Sequence, residues 1–345
     1  METWAQASNR RPVISETAQS DALVTVGIPA FNAEATLADS IATVTSQRHQ
    51  NLEILICDNG STDGTARICA DAEVADSRIT LLRSDENRGA VHSFETLLRA
   101  ATGTYFLWAA ADDLRPPDFV EEGVSHLEAN PMASLSAPVA EGYLVGLEQP
   151  IYRAAVSGLE PGISVTRRAY RALTCLPTTA IYGVFRTDKA KETLGFRESV
   201  ATDVAFLFEI ALRGFVVSIP RQILVFNRRK RWNTPEEDYR TFTGCTDMPR
   251  LYLPFVHLFA DRARRVLRLD SSPALRLWIL VLLSALEIRR LLFMACIRVL
   301  SRALSRNTFD RVALAIHWRF IHTSNYEVLD ADVYRRRMVI PRYVR

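Results

Sequence analysis

Apolar positions in the first third of the chain switch between two rhythms. Short, nearly unbroken apolar runs mark strands: Leu23-Val24-Thr25-Val26-Gly27-Ile28, stopped by Pro29, then Glu53–Cys57, Ile79–Arg83 and Thr104–Ala109. Between them the spacing turns helical. Leu37, Ile41 and Val44 share one face, and a helix opens at Ala66-Arg67-Ile68 with Thr62 or Asp63 as its cap. Val91–Ala101 forms another, with Phe94, Leu97 and Leu98 turned inward. Strands alternating with helices predict βαβ units, and hence an α/β fold built on a doubly wound, mainly parallel sheet.

From Pro116 to Gly214 the rhythm is irregular, with Gly, Pro and short apolar pieces of the kind found in binding loops or in an α+β extension. Val200–Leu212 predicts a helix broken at Gly214, and Phe215–Ile219 a strand. Asn227–Pro235 predicts a basic loop and a domain edge, after which the pattern is largely helical. The expected organisation is a loose polar arm over 1–20, a sheet domain over 21–230, and a basic, mainly helical region over 231–345.

Composition adds one asymmetry. Hydrophobic content of 48% and charged content of 23% are those of a folded protein. The net charge of +3 conceals a segregation: from Phe259 to Arg345 there are 17 Arg and no Lys against 7 acidic residues. That tail carries +10 and leaves −7 for residues 1–258. A cationic module of this kind suits an anionic surface or partner, although a solvated helix face gives the same count. Leu277–Leu286 is ten uncharged residues, short of the roughly 20 apolar residues a bilayer span needs. Beyond it Arg290, Arg298, Arg302 and Arg306 recur at spacings of four or eight, with Leu291, Leu292, Ala295, Val299 and Ala303 on the other side. Such a helix lies on an anionic membrane, or packs on the sheet domain or on a second copy of the chain. Its aliphatic rather than aromatic interleaving argues against nucleic acid. The five cysteines show no CxxC pairing and no His at ligand spacing, which predicts a reducing, cytoplasmic setting rather than disulfides or zinc. Near the N-terminus no apolar segment of a secretory signal is seen.

Two of the apolar runs end in carboxylates about 50 residues apart: Ile54-Leu55-Ile56-Cys57-Asp58-Asn59-Gly60-Ser61 and Tyr105-Phe106-Leu107-Trp108-Ala109-Ala110-Ala111-Asp112-Asp113. Open parallel sheets bind ligands at the carboxyl ends of their strands. Asp58 there can accept hydrogen bonds from a base or ribose, and the glycines behind it let backbone approach a ligand. An ordinary strand-to-helix turn with an Asp cap would read the same. Asn87-Arg88-Gly89 supplies a second tight turn carrying a cation. Asp112 and Asp113 would be costly if buried without partners. Mg²⁺ or Mn²⁺ shared with diphosphate oxygens would partner them, as would water at an exposed turn before Pro116-Pro117.

In order, Val26-Gly27-Ile28-Pro29-Ala30-Phe31-Asn32, Cys57-Asp58-Asn59-Gly60-Ser61-Thr62-Asp63-Gly64-Thr65, Asn87-Arg88-Gly89 and Ala111-Asp112-Asp113 resemble the successive motifs of family 2 glycosyltransferases, over about residues 21–225. The resemblance implies a GT-A fold, an inverting transfer from a nucleotide-diphosphate sugar, and Mn²⁺ or Mg²⁺ as cofactor. It implies Pro29, Ala30 and Asn32 at the nucleotide end, Asp58 on the base and Arg88 close by. Asp112 takes the metal-contacting position of the D-x-D element, with Asp113 beside it. Thr202-Asp203 resembles the acceptor-side acidic motif, which makes Asp203 the general base; an Asp placed only to complement a helix dipole is the other reading. Two positions depart from the pattern. Ala110 stands where many relatives have the first Asp of D-x-D. Asn227–Thr234 carries Arg228, Arg229, Lys230 and Arg231 where relatives often have a His, and a cation there could neutralise diphosphate instead.

The partners so implied are a nucleotide-diphospho-sugar donor and a glycan or lipid-linked acceptor, in bacterial surface glycan synthesis on the inner face of the cytoplasmic membrane. Two other functions fit part of the pattern. A nucleotidyltransferase also places acids at strand ends, but the early Gly-rich, basic stretch suited to a triphosphate is not seen. A nucleotide-sugar-binding scaffold with weakened catalysis would explain Ala110 and the missing His.

Overall fold

The computed structural model describes residues 20–144, 149–150, 152–197, 201–228, 241, 254–303 and 326–329. Of the arm expected over 1–20, only Ser20 is among them, and its hydroxyl donates to Glu128 at 2.6 Å. In the first third, β1 (Val24–Ala30), α1 (Leu37–Thr45), β2 (Leu52–Asn59), α2 (Thr65–Ala75), β3 (Ile79–Ser84), α3 (Gly89–Ala100) and β4 (Tyr105–Trp108) alternate as expected. The strands lie in the order β3-β2-β1-β4, all parallel. The chain winds from β1 out to β3 and then returns across the sheet to β4. The strand order therefore reverses between β1 and β4, the place where an open α/β sheet forms its ligand crevice.

Period-two alternation sorts the side chains of these strands into two cores. Val24, Val26 and Ile28 of β1, Ile54 and Ile56 of β2, and Leu107 of β4 face one side, where Leu37 and Ile41 of α1 and Cys69 of α2 cover them. Leu55, Cys57, Phe106 and Trp108 face the other, under Leu97 and Leu98 of α3. Both faces are thus buried, which is why these strands read as continuous apolar runs.

The stretch expected to be irregular is mostly regular. Just before it comes β5 (Asp113–Leu114), and it holds α4 (Phe119–Glu128), β6 (Ala133–Leu144), β7 (Tyr152–Ala154), α5 (Val165–Thr174), β8 (Val184–Arg186), α6 (Thr187–Lys191) and α7 (Thr202–Arg213). β8 extends the sheet antiparallel to β4, followed by β6 and β7. The strand expected over Phe215–Ile219 continues as β9 (Phe215–Arg228), parallel to β6. Asn227 and Arg228, read as loop, are therefore strand, because β6 offers a partner along this whole length; residues 229–235 of that basic stretch lie outside the described residues. Pro29 does not stop β1 either. Leu23 and Gly27 accept from Tyr105 and Ala109 on the β4 side, so by alternation Pro29 turns its missing N–H to that side. The β1–β4 pairing has already ended at Gly27 and Trp108, and no ladder bond is lost.

The C-terminal residues build onto this sheet domain. α8 (Pro254–Leu267) packs on α7, α9 (Pro273–Ala303) on α8 and α5, and β10 (Tyr326–Val328) pairs with β7. Val266 and Ile279 enter the same core as Trp108 and Phe206. Within α9 the side chains of Arg290, Arg298 and Arg302 lie outside what is described, as does Arg306. Among the described residues no helix is long and apolar enough to cross a membrane.

Candidate active site

The loops that leave β1 and β2 are laced together above the sheet. Asn32 adopts the left-handed region (φ 47°) that Asn tolerates better than most residues. Its N–H donates to Ser61 Oγ at 3.0 Å and its amide oxygen accepts from Thr62 N–H at 2.9 Å. Ala33 N–H donates to Thr65 Oγ1 at 2.7 Å, and Gly64 N–H to the Glu34 carboxylate at 2.7 Å. Asp63, expected as a cap, accepts from Thr65 N–H at 3.0 Å, directly before α2. Gly60 (φ 69°) is required between them, since a Cβ there would lie 2.5 Å from the backbone of Glu86. Pro29 is half-buried and Ala30 buried beside this lacing.

Asp58 ends β2 at zero exposure. Its Oδ1 accepts from Ser61 N–H at 3.1 Å. Its Oδ2 has no hydrogen-bond donor among the described residues, and Arg83 Nε stands 3.6 Å away, outside hydrogen-bond reach. A buried carboxylate oxygen left in this state is an acceptor waiting for a donor. The surroundings register its charge: the Cys69 thiol on α2 is pushed up to about 12, by burial first and by Asp58 next. Cys57 and Cys69 are free and buried.

Asn59, the next residue, holds the second turn. Its amide donates to Asn87 Oδ1 at 3.1 Å and Gly89 O at 3.0 Å, while its own oxygen accepts from Arg88 N–H at 3.1 Å. Arg88 is thereby fixed at the start of α3 with its side chain exposed. Partial burial, and Arg88 after it, hold the imidazole of His92 below its usual pKa. We expect Asn59→Ala to cost about 1–3 kcal/mol, because it strands the N–H of Arg88 and the carbonyl of Gly89. Urea denaturation checks this; an unchanged midpoint would show the turn holds without Asn59.

The acidic pair after β4 is split by the fold. Asp112 stays partly exposed in the turn, whereas Asp113 is fully buried in β5, opposite Phe226 of β9. Ser40 on α1 donates to Ala110 O at 2.8 Å, which ties down the position where a further carboxylate was looked for. Beneath the pair lies Arg115, a residue the sequence did not single out. It is buried, and its Nη2 donates to Trp108 O at 3.3 Å. Burial lowers its pKa against the opposing pull of Asp113, then Tyr182 and Asp112. Among the described residues no group of three or more His, Cys, Asp or Glu could hold a metal. One exposed carboxylate is nonetheless the donor set of an ion bound chiefly through substrate phosphates. Asp112 fits that use; Asp113 is already enclosed by protein. Residues 226–228 of β9 bring the basic stretch alongside this turn.

Asp203 stands in the first turn of α7, after Ala201 at φ 58°. Thr202 before it is buried, its Oγ1 accepting from Arg197 N–H at 3.0 Å. One turn on, the Phe206 ring meets Trp108 edge-on at 5.4 Å between centroids. Trp108 closes β4 four residues before Asp112, so this aromatic contact sets the start of α7 against the end of β4. Phe94, Phe185 and Phe196 complete the cluster around Trp108. Asp58, Arg88 and Asp112 thus lie at or after the carboxyl ends of the parallel strands β2, β3 and β4, and Asp203 lies in the first turn of α7, the helix whose Phe206 touches Trp108 of β4.

Residues 25–188 match the family model described as Glycosyl transferase family 2. Over that segment, just under half of its length, the chain is similar to this family. Among its relatives, an uncharacterized glycosyltransferase of Haemophilus influenzae is 35% identical over 108 residues, 31% of this chain and 33% of that protein. The putative glycosyltransferase EpsE of Bacillus subtilis is 29% identical over 240 residues, 63% of this chain and 85% of EpsE. The UDP-Glc:alpha-D-GlcNAc-diphosphoundecaprenol beta-1,3-glucosyltransferase WfgD of Escherichia coli is 34% identical over 110 residues, 32% of this chain and 43% of WfgD. The match to the Haemophilus and Escherichia proteins thus spans less than half of their length. In architecture, S. aureus TarS 1-349 in complex with UDP superposes with a TM-score of 0.55 at 15% identity, over 85% of this chain and 78% of TarS 1-349. That likeness is one of fold, and the fold is of GT-A type.

Proposed function

We propose that this chain is a family 2 glycosyltransferase that moves a sugar from a nucleotide-diphosphate donor to an acceptor hydroxyl, with inversion, in the cytoplasmic stage of building a bacterial glycan. The observation that carries the proposal is the buried Asp58 oxygen that has no hydrogen-bond donor among the described residues, near the carboxyl end of β2, with the partly exposed Asp112 just beyond the carboxyl end of the parallel strand β4. In this proposal Asp58 Oδ2 accepts from the base or ribose, beside Pro29 and Ala30, and Asn32 keeps the two loops in register. Arg88 and the basic end of β9 face the phosphates. Asp112 would hold Mn²⁺ or Mg²⁺, and such an ion would supply Lewis-acid stabilisation of the leaving diphosphate. Asp203 takes the proton of the acceptor hydroxyl as its oxygen attacks the anomeric carbon from the face opposite the departing diphosphate. A single displacement inverts the configuration, and no covalent sugar–enzyme intermediate forms. The activity that WfgD is named for recommends UDP-glucose and a diphosphoundecaprenol-linked sugar as the first donor and acceptor to test.

Thermal unfolding with UDP, GDP, dTDP and CMP, each with and without Mn²⁺, tests the donor half. Saturation at a hundredfold excess over Kd stabilises the native state by about 2.7 kcal/mol. One nucleotide should raise the midpoint, Asp58→Ala should abolish that rise, and Asp112→Ala should remove only the part that Mn²⁺ adds. No response to any nucleotide would sink the donor site. Ala110 keeps a second outcome in view: donor binding without transfer to any acceptor would mark a nucleotide-sugar-binding scaffold.

A further inference from the structure

We propose that the outward face of α9 is a docking surface for an anionic lipid bilayer. α9 is apolar on two sides. One side, with Ile279 and Leu283 at zero exposure, seals the helical layer of the fold. The other presents Leu277 (63% exposed), Trp278 (44%), Val281 (59%), Ile288 (58%) and Leu292 (63%) to water. At about 100° per residue these five fall within one arc of about 100°, together with the exposed Ala274 and Ala285. Soluble surfaces scatter large apolar side chains singly; a continuous row on one helix marks a site of contact.

Charge decides what makes that contact. Arg289 is exposed at the border of the row, and the neighbouring end of α8 exposes Leu267 and Arg268. Arg276 joins the two helices there, its Nη1 donating to Leu267 O at 3.1 Å. The single acid of α9, Glu287, is buried and engaged by Arg262 at 3.3 Å. The row is therefore bordered by the guanidinium of Arg289, with no exposed carboxylate on α9. A second copy meeting this face across a twofold axis would set cation against cation. An anionic bilayer accepts both parts: the aliphatic side chains enter the acyl boundary, Trp278 sits at the headgroups, and the arginines meet lipid phosphates. With 31 residues, α9 is about 46 Å long, ample for a helix lying flat on a surface. This inference rests on α9 and the adjoining end of α8 and stands independently of the donor and acceptor chemistry.

The test is sedimentation of the purified full chain with vesicles of phosphatidylcholine, alone or mixed with phosphatidylglycerol. The protein should pellet with the mixed vesicles, less so as salt is raised, and remain in solution with phosphatidylcholine alone. The combined substitution Leu277→Ser, Val281→Ser and Ile288→Ser should lower vesicle affinity at least about tenfold. Because these positions are exposed, the thermal midpoint should not fall. Arg289→Glu, which reverses one charge and touches no packing, should also lower affinity by about tenfold. Equal pelleting of wild type and both variants, or no pelleting with mixed vesicles, overturns the proposal. So does light scattering that shows a dimer converted to monomer by the triple substitution, since the face would then belong to a second copy.

Discussion

Asp203→Asn should slow sugar transfer by about 10²–10⁴ while leaving donor binding and folding nearly intact. Asn keeps the size and polarity of the side chain, and it removes the capacity to take the acceptor's proton. The competing role of Asp203 is electrostatic, an acid in the first turn of α7 that complements the helix dipole. That role is worth about 0.3–1 kcal/mol of stability and nothing in rate beyond it. The two roles therefore separate in a paired measurement, turnover at saturating donor beside the urea midpoint. A large loss of turnover with a small change in midpoint supports the base. A variant that turns over at the wild-type rate would remove Asp203 from the chemistry and leave it a helix-end residue.

Arg265→Ala should destabilise the protein by about 3–5 kcal/mol, the cost of leaving buried charges without their partner. Arg265 has zero exposure. Its Nη1 donates to Glu209 at 2.8 Å, its Nη2 to Asp261 at 3.0 Å and to Gly195 O at 2.8 Å. Glu209 is itself fully buried on α7 and keeps Arg213 at 2.8 Å and Leu194 N–H at 3.0 Å, so it is not stripped entirely. A matched control is Arg197→Ala. Arg197 also faces Asp261, at 3.6 Å, but its side chain is 47% exposed, and such pairs contribute about 0–1 kcal/mol. Chemical denaturation of both variants makes the comparison; equal, small losses would mean that α8 is held to α7 by apolar packing alone.

The legible part of this fold was its parallel half, where both faces of every strand are covered and the apolar runs stand out. β6 was missed because Ala133–Leu144 is built from small and polar residues, ASLSAPVAEGYL, whose burial is supplied by neighbours rather than by its own hydrophobicity. β9 was cut short at Ile219 for a related reason: its continuation depends on β6, a partner the sequence does not display. In the candidate site, the positions at strand ends were visible because turn chemistry is local. Asn59 and, in the helical layer, the Glu209–Arg265 pair were not, since each acts through groups remote in the chain, 56 residues apart in the latter case, and the burial of Arg115 likewise depends on the tertiary fold. The split of Asp112 from Asp113 was equally hidden, because it follows from the pairing of Asp113 with Phe226.

β10 pairs with β7 across about 170 residues of chain, which gives the sheet a schedule. At elongation rates of about 5–20 residues per second, roughly 10 to 30 seconds separate the synthesis of the two strands. Throughout that interval the outer edge of β7 is without its native neighbour on a half-made protein. A bare edge invites pairing with other chains, and length is what makes it dangerous. At three residues, Tyr152–Ala154 offers a stranger very little to hold while the ribosome finishes.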